Sequence, residues 1–139
     1  MMRQDRFTQQ AQEVLASSQE MVRQQRHSQW DVEHVLLALL QHSDSLAGQV
    51  LVAADIDVKA LTARVADTLA RAPKLAYDVV QVYTTPRIVK MIETANAEAE
   101  RLKDEYVGVE HLLIAVVDER DGESARILRE FGVDKERVY

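Results

Sequence analysis

The sequence predicts an all-α domain made of two copies of one four-helix unit, and three observations carry that prediction. The stretch Val32-Glu33-His34-Val35-Leu36-Leu37-Ala38-Leu39-Leu40 returns 77 positions later as Val109-Glu110-His111-Leu112-Leu113-Ile114-Ala115-Val116-Val117, with the same polar pair and the same apolar rhythm. The same offset, without a gap, aligns Thr8 with Thr85, Asp44 with Asp121, Leu51 with Leu128 and Asp57 with Asp134. Nine identities in 56 positions fall at helix starts and core positions, where a duplicated architecture must keep its residue types. Composition agrees, since only four glycines and two prolines occur in 139 residues and helix formers dominate.

The totals bound the function classes. With 47% hydrophobic residues, the chain suits one domain that buries roughly two thirds of its unfolded surface, so a tandem pair sharing one core is feasible. The absence of cysteine excludes disulfides and thiolate metal sites. The longest apolar run, Val35 to Leu40, is far short of the ~20 residues of a membrane span, and Arg3, Asp5 and Arg6 interrupt any signal-type stretch. A cytoplasmic protein with no membrane partner is expected. A net charge of −6 argues against nucleic acid, whose binding rests on Lys and Arg neutralising phosphates.

In chain order, Thr8 caps a first helix running to about Gln25, with Ala11, Val14, Leu15, Ser18, Met21 and Val22 on its apolar face. Asp31 caps the second, flanked by Trp30 and Val35 as a hydrophobic staple. A third follows Asp44 or Ser45 and reaches about Ala54, where Asp55 stands at the left-handed cap position that Gly132 fills in the second copy. Asp57 caps the fourth, with Leu61, Val65 and Leu69 inward and Pro73 beyond its end. The first copy thus covers about 7–72. Residues 73–84 break the helical pattern; their β-branched content suits a strand, but with no partner visible in the sequence they read as an extended linker.

The second copy, about 85–139, restarts at Thr85 with Pro86 in the first turn and continues through Ile88, Ile92, Ala95, Ala99 and Leu102. Gly108 caps a sixth helix with Val107 and Leu112 as staple, Asp121 starts a seventh that stops at Gly132, and Asp134 begins an eighth that looks truncated at Tyr139. Because the copies can cover each other's apolar faces, a monomer is expected for the fragment.

Catalytic signatures are missing. No His-Glu-x-x-His or comparable zinc spacing surrounds His27, His34, His42 or His111, and no nucleophile elbow or Gly-x-x-x-x-Gly-Lys-Ser/Thr phosphate loop is present. His34 and His111, at the third helical position, reach back to the cap backbone. Glu33 and Glu110 sit beside the positive end of their helix dipoles, and Thr8 and Thr85 are caps. Local stabilisation accounts for each of these residues, yet Thr and Glu recur together in both copies.

Phe7-Thr8 before an Ala- and Gln-rich helix, the Glu-His pair opening an apolar helix in each copy, and the ending Phe131-Gly132-Val133-Asp134 together resemble the N-terminal double repeat domain of the Clp ring unfoldases, of the ClpB and ClpC types. The resemblance covers essentially the whole chain and implies two pseudo-twofold related four-helix repeats. It further implies a flexible mounting on a hexameric ring that consumes ATP with Mg, cofactors belonging to the parent rather than to this fragment. The partners it implies are unfolded or aggregated proteins, arginine-phosphorylated proteins, or adaptors. A stand-alone helical interaction domain without a ring is the alternative. By the same resemblance, Thr8, Glu33, Thr85, Asp104 and Glu110 fall on the substrate-binding surface. A helix start with a hydroxyl suits an anion and a carboxylate suits a guanidinium, so the expectation is two equivalent sites for phosphorylated arginine, each pairing a glutamate with the threonine of its own copy. Asp104 departs from the repeat, because its first-copy counterpart is His27. A competing expectation is an apolar groove between the repeats, lined by Met21, Val22, Tyr77, Val80 and Tyr83.

Overall fold

The computed structural model describes residues 6–42, 46–77, 81–119 and 122–134. Among them lie seven helices: α1 (Gln9–Gln24), α2 (Val32–Gln41), α3 (Leu46–Ala53), α4 (Val58–Ala70), α5 (Pro86–Arg101), α6 (Val109–Val117) and α7 (Glu123–Glu130). Two strands of two residues each, β1 (Gln29–Trp30) and β2 (Tyr83–Thr84), complete the order. The expected caps at Asp44, Ser45 and Asp121 and the eighth helix lie outside the described residues; within them, Gly122 occupies the N-cap of α7.

Local chemistry explains the helix starts. The Thr8 and Thr85 hydroxyls accept the third-position amides, Ala11 N at 3.1 Å and Ile88 N at 3.3 Å, and Asp57 does the same for Ala60. The helix ends repeat as faithfully. Arg26 and Lys103, and then Asp55 and Gly132, all have positive φ, and each pair is separated by the repeat offset of 77. Each closes a Schellman motif: His27 N donates to Val22 O and Asp104 N to Ala99 O, while Ile56 N donates to Leu51 O and Val133 N to Leu128 O. Only one of the four is glycine, so three side chains accept left-handed backbone to keep the turn.

The core is built on α2 and α6. Residues 32–40 and all but Glu110 of α6 are buried, and the two helices pack on each other as well as on α1, α4 and α5. Leu36 and Leu113, equivalent in sequence, are both fully buried. One exchange shows how the copies share a frame with different fillings: the Trp30 indole donates to the Ser18 hydroxyl at 2.8 Å, whereas Val107 and Ala95 occupy the corresponding positions and need no polar partner.

The linker expectation needs correction. Its last residues are a strand after all, with a partner in the residues just before α2: Gln29 pairs with Tyr83 and Trp30 with Thr84, in parallel. A matching bridge joins Phe7 to Val107. The two pairings interchange under the repeat offset, so Thr85 N donates to Trp30 O and Thr8 N donates to Val107 O. The strand had no partner in the sequence because the partner lies in the other copy. The consequence for function is direct, since these crossed bonds set the start of α5 against the start of α2, and the start of α1 against the start of α6.

Candidate functional site

The crossed strands rearrange the expected pairs. The Thr85 start of α5 is bonded beside the start of α2, where Glu33 lies, and the Thr8 start of α1 beside the start of α6, where Glu110 lies, so each glutamate shares a junction with the threonine of the other copy. At the first of these junctions the Thr85 hydroxyl donates to Asp31 Oδ1 at 3.1 Å. Arg87, in the first turn of α5, then fills the space between helices. Its Nη1 and Nη2 donate to the two oxygens of Glu33 at 3.0 and 2.8 Å, and its Nε and Nη2 to the two oxygens of Glu119 at 2.7 and 2.6 Å. Asp31 Oδ1 lies 3.2 Å from Nη1, and the buried Ser124 hydroxyl donates to Glu33 Oε2 at 2.6 Å.

Paired forks of this kind are the strongest geometry available to a guanidinium. Burial raises the Glu33 carboxyl, but the hydrogen bonds from Arg87 and Ser124 and the Arg87 charge outweigh it and hold Glu33 below the usual carboxylate range. The Glu119 bonds, opposed by burial and helped by Glu33, keep Arg87 protonated even more firmly than an ordinary arginine.

The second junction has the same backbone and different side chains. Gln10 stands where Arg87 would, Gly108 where Asp31 would and His42 where Glu119 would. Glu110 folds back over the helix start, and Gly108 makes that possible, because a Cβ there would lie 2.5 Å from Glu110 Oε1. A third of the Glu110 side chain remains exposed, against 12% for Glu33. The two sites are therefore not equivalent, which corrects the symmetric expectation: the repeat conserves the acceptor, while the groups around it differ.

Behind each glutamate is a histidine. Both histidines reach back to the cap backbone as expected, His34 Nδ1 accepting the Asp31 amide at 3.0 Å and His111 Nδ1 accepting the Gly108 amide at 2.8 Å; only Asp31 has a side chain to complete a reciprocal capping box. With Nδ1 an acceptor, the proton of each ring sits on Nε2. His34 Nε2 donates to His27 Nδ1 at 2.9 Å, and His111 Nε2 donates to Asp104 Oδ2 at 2.8 Å. His27 and Asp104 thus perform one task, accepting from the capping ring, which resolves their mismatch in the repeat. Burial, and then the neighbouring His27, lower His34 to about 4, and burial lowers His27 as well against the Leu69 carbonyl. Asp104 remains 48% exposed with one oxygen engaged.

The expected groove lining divides. Met21 and Val22 are core, Tyr77 and Tyr83 are exposed, and Val80 lies outside the described residues. A cavity of about 280 Å³ does open between α2, α5 and α6, floored by Val32, Met91 and Ala115 and edged by Lys90, Asp118 and the Arg87–Glu119 pair. Sequence reasoning missed Arg87, although a signal was there. A cation in the first turn of a helix opposes the dipole and calls for carboxylates close by. No group of three or more metal-ligating side chains occurs among the described residues.

The model of the Clp repeat N-terminal domain matches residues 6–131. The chain belongs to that family. Clp-domain relatives include a negative regulator of genetic competence, ClpC/MecB, from Bacillus subtilis, 34% identical over 92% of this chain and 15% of its own length. The chaperone protein ClpB 1 of a Nostoc species is 37% identical over 96% of the chain and again 15% of its length. The chain therefore spans about 15% of these curated relatives. Among solved structures, the Hsp104 N-terminal domain from Candida albicans superposes with a TM-score of 0.81 at 22% identity, covering 95% of this chain and 85% of that one. A ClpV N-domain in complex with a VipB peptide gives 0.76 at 18% identity, with coverages of 96% and 82%. The Clp domain fold is thus shared with proteins of widely divergent sequence. Among the described residues no helix is long and apolar enough to cross a membrane.

Proposed function

We propose that this Clp N-terminal domain is the substrate- and adaptor-recognition module of an ATP-driven unfoldase of ClpB or ClpC type, receiving unfolded, aggregated or tagged proteins and passing them to a hexameric ring. Family membership supports the module, and the ClpV domain described with a VipB peptide supports peptide binding as its mode. ATP and Mg belong to the ring in this reading, so titrating Mg-ATP into the isolated chain is expected to give no saturable heat. The observation that carries the ligand chemistry is the Glu110 carboxylate, part-exposed at the positive end of α6 and set against the Thr8 start of α1.

That arrangement offers a carboxylate to a guanidinium and a helix start to an anion, which together suit a phosphorylated arginine. Isothermal titration with a phosphoarginine peptide tests it. Glu110→Gln is expected to weaken binding by about 1.5 to 3 kcal/mol, the range for a charged hydrogen bond. A second reading rests on the cavity over Val32, Met91 and Ala115, which suits an apolar side chain of an unfolded segment. An arginine-free apolar peptide that binds as well as the phosphoarginine peptide, with no sensitivity to Glu110→Gln, would favour that cavity and remove the arginine reading.

A further inference from the structure

We infer that the paired histidines of the first repeat form a proton-operated latch: uptake of one proton parts His27 from His34 and releases the linker tied to the turn they brace, while the second repeat has no such latch. The turn is residues 26–31, between α1 and α2. It holds the linker on both sides, because Arg26 O accepts Leu75 N at 2.8 Å, Ser28 O accepts Tyr83 N at 3.1 Å and Trp30 O accepts Thr85 N at 3.2 Å. The bond from His34 Nε2 to His27 Nδ1, 2.9 Å long, spans this turn from the first turn of α2 to the residue after the left-handed Arg26. Both rings are buried.

The proton count makes this bond a latch. The Asp31 amide can only donate, so His34 Nδ1 must accept, His34 Nε2 must carry a proton, and His27 Nδ1 must accept in its turn. The other proton of the pair is on His27 Nε2, which faces the Leu69 carbonyl of α4 without completing a hydrogen bond. A third proton has two places to go. On His34 Nδ1 it confronts the Asp31 amide, and on His27 Nδ1 it confronts the His34 Nε2 proton, donor against donor, so either way a bond of the turn is lost. The charges around the pair do not relieve this. Lys74 of the linker opposes added charge, Arg26 precedes His27 in the chain, and the carboxylates that favour a proton, Asp31 and Glu33, are already held by Arg87. Release toward water has room in a cavity of about 260 Å³ bordered by His27, His34, Leu69 and Pro73. The second repeat braces the same turn, residues 103–108, with a carboxylate instead: His111 Nε2 donates to Asp104 Oδ2, and Asp104 is half-exposed, so it takes a proton on its other oxygen with the brace intact.

The direction of the response follows from linkage. A released histidine ionises near 6.5, whereas His34 in the closed latch is lowered to about 4, so between those values the open form binds the extra proton and its population rises about tenfold for each pH unit lost. Amide hydrogen exchange of the whole chain, read residue by residue by NMR from pH 7 to 4 as protection relative to the unfolded chain at each pH, tests the latch. Leu75, Tyr83 and Thr85 are expected to lose protection by about tenfold or more, while Thr8 and Val107, which form the second repeat's crossing, change by less than about threefold. A smaller loss at the first three, or an equal loss at both crossings, would overturn the inference. His27→Asp, which copies Asp104 into the first turn, is expected to keep Leu75, Tyr83 and Thr85 protected at pH 4; a loss as large as in the wild type would also overturn it. Should that variant fail to fold, the ring-nitrogen shifts of the wild type decide. They are expected to show the Nε2–H tautomer for both His27 and His34 at pH 7, and charge on the pair at the same midpoint as the release of the linker; protonation without release, or release without protonation, would contradict the latch.

Discussion

At the start of α2, Glu33 is gripped by Arg87 and Ser124 with Asp31 and Glu119 close by; at the start of α6, Glu110 leans over a glycine and keeps a third of its side chain in solvent. The backbones of the two places are copies, down to the crossed strand bonds and the left-handed turns that precede them. So are the capping histidines. The difference lies in four or five side chains, and it separates two uses of one carboxylate: stapling α5 to α2 and α7 in one half, and remaining accessible in the other. A repeat therefore preserves position more strictly than purpose, because packing fixes the frame while each exposed junction is free to change.

The comparison can be pressed first where the copies ought to behave alike. Leu36 and Leu113 are both fully buried on equivalent helices, so Leu36→Ala and Leu113→Ala should each cost about 2 to 5 kcal/mol through lost transfer energy and the cavity left behind. Urea melts measure both. A cost below about 1 kcal/mol at one position only would show that the cores, too, have diverged.

Next is a place where the copies should differ. His34 titrates near 4 in the fold against about 6.5 in an unfolded chain, and His27 is lowered in the same direction. The unfolded state then binds more protons between those values, so stability is full above about pH 6.5 and is lost as pH falls toward 4, by roughly 2 to 3 kcal/mol. Below that range, protonation of Glu33, whose folded value is depressed, removes further stability. Replacing His27 by the second copy's residue, His27→Asp, gives His34 the carboxylate that His111 has in Asp104. Urea midpoints from pH 7 to 4 should then flatten. An unchanged pH profile would mean that the histidine pair is not the acid-sensitive element.

The smallest expected effects are at the caps. Thr8→Ala and Thr85→Ala each remove a helix cap worth about 1 kcal/mol, and Thr85→Ala should cost more because its hydroxyl also donates to Asp31. Thermal melts resolve the order. Equal shifts would imply that the bond to Asp31 adds nothing.

How much of this was legible in the sequence follows from range. Helix faces, caps and the histidines that reach back to the cap backbone were readable because they depend on residues three or four apart, and the faces predicted for α1 and α4 are the buried ones. The turn at Asp55 was readable by comparison with Gly132, whereas Arg26 and Lys103 carry no glycine or asparagine to announce a left-handed residue. The crossed strands and the partners of Arg87 were not readable, since they join residues 32 or more positions apart. Sequence identity between copies even pointed the wrong way, pairing each glutamate with its own threonine when the strand exchange pairs it with the other.

The most direct test of the division is the stability of two equivalent substitutions, Glu33→Gln and Glu110→Gln, followed by urea unfolding at pH 7. Glu33→Gln weakens the Glu33 fork and leaves the Ser124 hydroxyl short of a charged acceptor, while Arg87 keeps Glu119 and Asp31, a loss of about 2 to 3 kcal/mol. Glu110→Gln alters a surface carboxylate and should stay within about 0.5 kcal/mol of the wild type. Equal losses in the two variants, or a larger loss at Glu110, would contradict the account.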